Sequence, residues 1–159
     1  MSGIAIVPFR PQYSADFRRL NLEWIERLFK VEAPDLKVLD NPGQAIIAPG
    51  GMIYFALDGE AVVGTAAMIR VAPDRCELAK MGVAAMHQRR GIGELLGQAC
   101  TAWAREQGVH AVFLETNSRL GNAIRLYERL GFRHAPWPNP SDYARGDVYM
   151  ELEIDPARS

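Results

Sequence analysis

Apolar positions along the chain fall into runs whose period changes several times. Residues 4–9 are a short apolar run closed by Pro8 and Pro11, which predicts a first strand. Phe17, Leu20, Trp24 and Leu28 follow at helical spacing, widened by Leu22, Ile25 and Phe29. With Ser14 as an N-cap and Asp16 in the first turn, they predict a helix over residues 14–30. Residues 31–51 hold Pro34, Pro42, Pro49 and Gly50-Gly51, break every regular pattern, and are expected to form a long irregular binding loop. Residues 52–57 and 61–71 flank Asp58-Gly59, a hairpin signal, and residues 75–84 form another strand-like run beyond the Pro73-Asp74 turn. Three successive antiparallel strands are expected.

The period then lengthens. Ile92, Leu95, Leu96, Ala99 and Trp103 share one face of a helix over residues 91–107, ended by Gly108. Residues 109–116 read as a strand. Residues 122–130 read as a short helix with Ala123, Leu126, Tyr127 and Leu130 on one face and Gly131 behind it. Residues 136–140 are a proline-broken loop, and residues 147–154 alternate as a half-buried final strand. The order is β-α-loop-β-β-β-α-β-α-β. The helical crossover between the strands ending near Ala84 and starting near Val109 requires one parallel pair. The expected architecture is a single α/β domain over residues 1–159, with a mostly antiparallel twisted sheet containing one parallel pair and flanked by helices.

Composition narrows the class. At 159 residues, 48% hydrophobic and 23% charged, the chain is long enough for one domain and ordinary for a globular protein, which excludes disorder, collagen and coiled coil. The 18 Lys+Arg against 19 Asp+Glu argue against a nucleic-acid partner. No stretch approaches the ~20 apolar residues of a membrane span, and the N-terminus lacks the features of a secretory leader, so a cytoplasmic location without a membrane partner is expected. Cys76 and Cys100 are too few for a disulfide framework and read as buried apolar residues. His87, His110 and His134 have no metal-ligand spacing, and no metal is expected.

The stretch Gln88-Arg89-Arg90-Gly91-Ile92-Gly93 lies between a strand and an amphipathic helix. Unpaired first-turn N–H groups, the helix dipole, the glycines and two arginines make it an anion site suited to a pyrophosphate. It resembles the Q/R-x-x-G-x-G/A signature of the acyl-CoA site of the GNAT superfamily of N-acetyltransferases, with Gln88, Gly91 and Gly93 in the specified positions. Glu77-Leu78-Ala79-Lys80-Met81-Gly82-Val83 upstream looks like the family's fourth strand. Ala123-Ile124-Arg125-Leu126-Tyr127-Glu128-Arg129-Leu130-Gly131-Phe132 downstream looks like its A-I-x-L-Y-E-x-L-G-F helix and exit turn.

The resemblance implies acetyl-CoA as co-substrate. Its pantetheine arm would pair with backbone groups of Met81, Gly82 and Val83, and its pyrophosphate would lie on the loop formed by Gln88, Arg89, Arg90, Gly91, Ile92 and Gly93. Tyr127 is implied as the acid that meets the departing thiolate. Glu77 is implied as the general base that relieves an ammonium of its proton, a step costing about 4.6 kcal/mol at pH 7 for a lysine-like amine; Glu115 is a second candidate. Direct transfer to a primary amine, on a small molecule or a peptide, is implied rather than an acyl-cysteine route. The family often carries an asparagine ahead of this tyrosine, where this chain has Leu120; Asn117 and Asn122 lie near enough to substitute, and Asn122 also reads as a helix cap. Tyr13, Trp24, Tyr54, Trp137, Tyr143 and Tyr149 are candidate walls of the acceptor site, and the exposed edge of the last strand suggests a homodimer. Two other readings compete. One is a non-catalytic acyl-CoA sensor on the same fold. The other is a dinucleotide-binding fold, for which Gly97 is out of register and the antiparallel hairpins are wrong.

Overall fold

The computed structural model describes residues 3–155. Its elements are β1 (Ile4–Pro8), α1 (Ser14–Leu28), α2 (Ala33–Leu39), β2 (Met52–Asp58), β3 (Ala61–Ala72), β4 (Arg75–Val83), α3 (Ile92–Glu106), β5 (Ala111–Thr116), α4 (Gly121–Leu130), β6 (Arg133–His134) and β7 (Val148–Glu153). The strands form one sheet in the order β1-β2-β3-β4-β5-β7-β6. Every pairing is antiparallel except β4 with β5. The mixed sheet expected from the helical crossover is therefore present. The consecutive parallel strands of a dinucleotide fold are not found among the described residues.

Alternation along the strands divides the core in two. Ile53, Phe55 and Ala67 face α1 and α2, where they pack with Phe17, Ile25 and Leu39. Ala56, Ala66 and Met68 face the other way and pack with Ile92, Leu96, Cys100 and Trp103 of α3. Cys76 and Cys100 are both free and fully buried.

Several local expectations are corrected. Residues 31–51 are not irregular throughout. They hold α2 and a five-residue π turn (Gly43–Ile47). Pro34 sits in the first turn of α2, where its missing N–H is no loss, and the Glu32 and Asp35 side chains form a capping box. Ser14 is the first residue of α1 rather than its cap, because a 3₁₀ turn over Pro11–Tyr13 feeds the helix directly. Asn122 likewise lies inside α4, whose N-cap is Leu120, so it caps nothing. The last strand is no free edge, since β6 pairs with it at Met150 and Glu151, which removes the stated ground for a homodimer.

Candidate active site

Strands β4 and β5 run in register only from Arg75↔Ala111 to Glu77↔Phe113 and then part. The cause lies on the other side of β4. Its register with β3 passes from Thr65↔Gly82 to Ala67↔Ala79, so β4 carries one extra residue there. Lys80, at φ +53°, takes the left-handed conformation of that bulge. A non-glycine residue there is held by its surroundings at a cost of order 1–3 kcal/mol. Beyond Glu77, β4 has no partner on the β5 side, while Leu114, Glu115 and Thr116 pair only with β7. The parting opens a cleft of about 790 Å³, walled by the end of β4, the start of α3, the end of β5 and α4. An unpaired strand edge of this kind accepts an extended, amide-bearing chain by backbone pairing.

The far end of the cleft suits an anion. Gly91 is the N-cap of α3 at φ +78°, with no side-chain cap and open space where a Cβ would stand. The Leu95 N–H donates to the Gly91 carbonyl, so the N–H groups before it belong to the unpaired first turn. Arg89 and Arg90 are exposed and without ion pairs among the described residues, and Arg89, not Arg90, lines the cleft. Arg119, Arg125 and Arg129 face it from the β5–α4 turn and α4. The residues present therefore fit a diphosphate carried on an amide-bearing arm, which is the chemistry of coenzyme A.

Three predicted contacts gain a different explanation. The Gln88 side chain turns back and donates to the Val83 carbonyl at 3.1 Å, bracing the loop against β4. A Cβ on Gly93 would lie 3.1 Å from Leu126, and one on Gly97 2.5 Å from Leu130, so these two glycines let α4 lie close against α3. Gly82 is also a packing glycine, since its Cβ would stand 2.9 Å from the Trp24 ring. Met81, Val83 and Ile92 line the cleft as well, with Ile92 anchored in the core.

The reactive candidates sit on facing walls. Tyr127 is half-buried with its ring edge-on to Phe132 at 6.1 Å, and its hydroxyl has no partner among the described residues. Burial pushes that phenol up to about 12. Glu77 projects from the last paired position of β4, also without a hydrogen-bond partner among the described residues. Burial, and then the neighbouring Glu115, push its carboxyl up to about 7. Glu115 itself is held by the Ser141 hydroxyl, which donates to it at 2.6 Å. Asn117 lines the cleft but spends its side chain locally, donating to the Arg145 carbonyl at 2.7 Å and accepting from the Arg119 N–H at 2.8 Å. Asn122 accepts from Arg125. Of the six candidate aromatics, Trp24 and Tyr143 line the cleft. Tyr13 packs on Phe55, and Tyr149 bonds Arg75 and Glu151.

Sequence reasoning missed an ionic cluster on the wall of the cleft. Asp35 is fully buried and accepts from Lys80 at 2.6 Å and from both terminal nitrogens of Arg145 at 2.9 and 2.5 Å. Burial alone would raise the Asp35 carboxyl, but the bonds from Arg145 and Lys80 hold it down at about 2. Glu32 accepts from the Ala144 N–H at 3.0 Å and lies 3.4 Å from Arg145, while Tyr143 OH lies 3.1 Å from the Lys80 ammonium. These bonds tie α2, the β4 bulge and the β6–β7 loop into one unit. The only local signal was the Glu32-to-Asp35 spacing. The partners lie 45 and 110 residues away in sequence, beyond the reach of any periodicity.

A mixed sheet opened by a bulge, with a helix start suited to an anion beside the opening, is an arrangement that fits the chemistry of coenzyme A. The model of the acetyltransferase (GNAT) family matches residues 15–132, and the chain belongs to that family. It is an acetyl-CoA-dependent acyltransferase. It is 35% identical over 120 residues to the uncharacterized N-acetyltransferase YjgM of Escherichia coli K12, covering 73% of this chain and 68% of that one. It is 29% identical over 119 residues to rat N-acetylaspartate synthetase, covering 74% of this chain but only 38% of that longer protein. Among solved structures, a GNAT-family acetyltransferase from Staphylococcus aureus Mu50 superposes with a TM-score of 0.85 at 21% identity, over 96% of this chain and 99% of that one. The yncA protein of Salmonella typhimurium, solved with its cofactor acetyl-CoA, gives 0.78 at 20% identity, over 99% and 98%. At these identities the two structures speak to the fold. Among the described residues, no helix is long and apolar enough to cross a membrane, and no group of three or more His, Cys, Asp or Glu is placed to hold a metal.

Proposed function

We propose that the chain, acting as a single domain, moves the acetyl group of acetyl-CoA to a primary amine by direct attack in a ternary complex. Glu77 takes the amine's proton and Tyr127 meets the departing sulfur. The observation that carries this reading is the pair of unpartnered groups on opposite walls of one cleft, a carboxyl near 7 and a phenol near 12.

The values support these roles. Passing a proton from a lysine-like ammonium to an ordinary carboxylate is uphill by about 6 pK units, roughly 8 kcal/mol; to a carboxyl near 7 it is uphill by about 3.4 units, roughly 4.6 kcal/mol. Burial of Glu77 thus makes it a stronger proton acceptor while leaving about half of it ionised at neutral pH. Tyr127 works differently. Full proton transfer from a phenol near 12 to a thiolate whose acid has a pKa of about 8.5 is uphill by ~3.5 units, so its contribution is a hydrogen bond to the charge developing on sulfur. The amine nitrogen adds to the thioester carbonyl to give a tetrahedral intermediate, whose collapse restores the carbonyl and breaks the carbon–sulfur bond. The ammonium gives up two protons in all, of which one ends on the thiol and one passes through Glu77 to water.

The remaining site residues serve the donor. Met81, Gly82 and Val83 offer strand-edge backbone to the pantetheine arm, and Arg89, Gly91 and Gly93 surround the diphosphate end, with Gln88 and Ile92 fixing the loop and Arg90, Asn117 and Asn122 at its margins. Tyr127→Phe tests the reading, because it keeps the ring on Phe132 and removes only the hydroxyl. Thiol release is expected to fall about 10²-fold in kcat with the KM for acetyl-CoA little changed. An unaltered kcat overturns the role of Tyr127.

A further inference from the structure

A second cavity of about 440 Å³ lies against the cleft. Ala33, Pro34 and Val38 of α2 form its apolar side, and Ile69, Glu77 and Tyr143 line both spaces, so the two meet at the Glu77 carboxyl. The charges along this wall are unbalanced. Glu77 and Asp142 are acidic, and neither has a hydrogen-bond or ion-pair partner among the described residues. Glu115 adds to the negative field at Glu77. The one basic residue of the lining, Lys37, is exposed on α2. The inner cations Lys80 and Arg145 offset this only in part: Lys80 opposes the rise at Glu77, but both are already bound to Asp35, and Arg145 also to Glu32. A carboxylate placed here meets like charge and finds no free inner cation, whereas an ammonium finds an unpartnered, desolvated acid.

We propose, resting on the reading of Glu77 as the base, that this second cavity is the acceptor pocket and that it takes a small flexible amine bearing a second positive charge, of the α,ω-diamine type. One nitrogen lies at Glu77, gives up its proton there and attacks the thioester. The other stays protonated against Asp142 at the outer wall, and the methylenes between them lie on Pro34, Val38 and Ile69. The spare charge on the acceptor, rather than its carbon skeleton, sets specificity.

The test holds chain length fixed and varies the second charge. At saturating acetyl-CoA, thiol release is measured with 1,4-diaminobutane, n-butylamine and 4-aminobutyrate. The expected order of kcat/KM is diamine, then monoamine, then aminobutyrate, with about tenfold or more between the extremes. Asp142→Lys, at an exposed position without a hydrogen-bond or ion-pair partner among the described residues, is expected to reverse that order. Equal values for the three amines, preference for aminobutyrate, or an order unmoved by Asp142→Lys overturns the acceptor assignment and leaves the acetyltransferase reading standing. Preference for a peptide bearing a free N-terminus over the diamine overturns it in the same way. Release with none of the three also overturns it, and acetyl-CoA binding measured by calorimetry then shows whether the donor half of the reading survives.

Discussion

Replacing Glu77 with glutamine is expected to slow the enzyme and stabilise the protein, and the second effect depends on pH in a defined way. The Glu77 carboxyl titrates near 7 in the folded chain against 4.5 when unperturbed, chiefly because burial disfavours its charge. A carboxyl raised by folding binds its proton more tightly in the native state. Its favourable contribution is therefore complete below about pH 4.5, falls away as pH rises, and is gone above about 7. The full shift corresponds to about 3.4 kcal/mol; since Glu77 is half-buried and faces open clefts, a value of about 1–3 kcal/mol is expected. Glutamine carries no charge at any pH. The variant should match the wild type near pH 4.5 and exceed it at pH 8, by roughly 2–12 °C in Tm at ~2–4 °C per kcal/mol for a chain of this size. Thermal unfolding followed by circular dichroism at both pH values measures this, alongside a loss of about 10²–10⁴-fold in kcat/KM for amine acetylation. A Tm difference that is the same at both pH values, or a variant less stable at pH 8, refutes the claim that Glu77 is held ionised at the expense of stability.

Asp35→Asn should be among the most damaging single changes, because it leaves Lys80 buried without its counter-charge and Arg145 with Glu32 alone; about 3–5 kcal/mol of stability is expected to be lost, read by urea denaturation. In the wild type the same carboxyl, held at about 2 against an ordinary 3.8, contributes stability that is present above about pH 4 and is lost as pH falls through 2, which an acid titration of the fold will show. Gly82→Ala should lower Tm by the equivalent of about 1–3 kcal/mol, since its methyl meets Trp24 at 2.9 Å and the Leu20 carbonyl at 3.1 Å.

The elements that sequence made legible are those whose cause is local. The α3 stripe, the Asp58-Gly59 hairpin and the alternation of β7 depend on neighbours a few residues away, and each is present close to its expected bounds, although Leu95 of the α3 stripe is exposed rather than packed. The helix crossover foretold the parallel pair. What stayed hidden depends on long-range partners. The helix α2 was concealed by its prolines, although Pro34 is favourable in the first turn and Asp35 completes the cap. The bulge at Lys80 leaves no composition signal, because a lysine there is retained by Asp35 across the fold. Gly82, Gly93 and Gly97 were visible as glycines, but only their neighbours Trp24, Leu126 and Leu130 reveal that close packing requires them. The site was legible as a set of residue types and illegible as a charge balance, which arises where α2, β4 and the β6–β7 loop converge.

The most direct measurement is a crystal structure of the protein with coenzyme A. The account predicts the diphosphate on the backbone N–H groups around Gly91 and Gly93, the amide-bearing arm paired along β4 beyond Glu77, and the sulfur within hydrogen-bond reach of the Tyr127 hydroxyl. Coenzyme bound outside the opening between β4 and β5, or with its sulfur remote from both Tyr127 and Glu77, would contradict it.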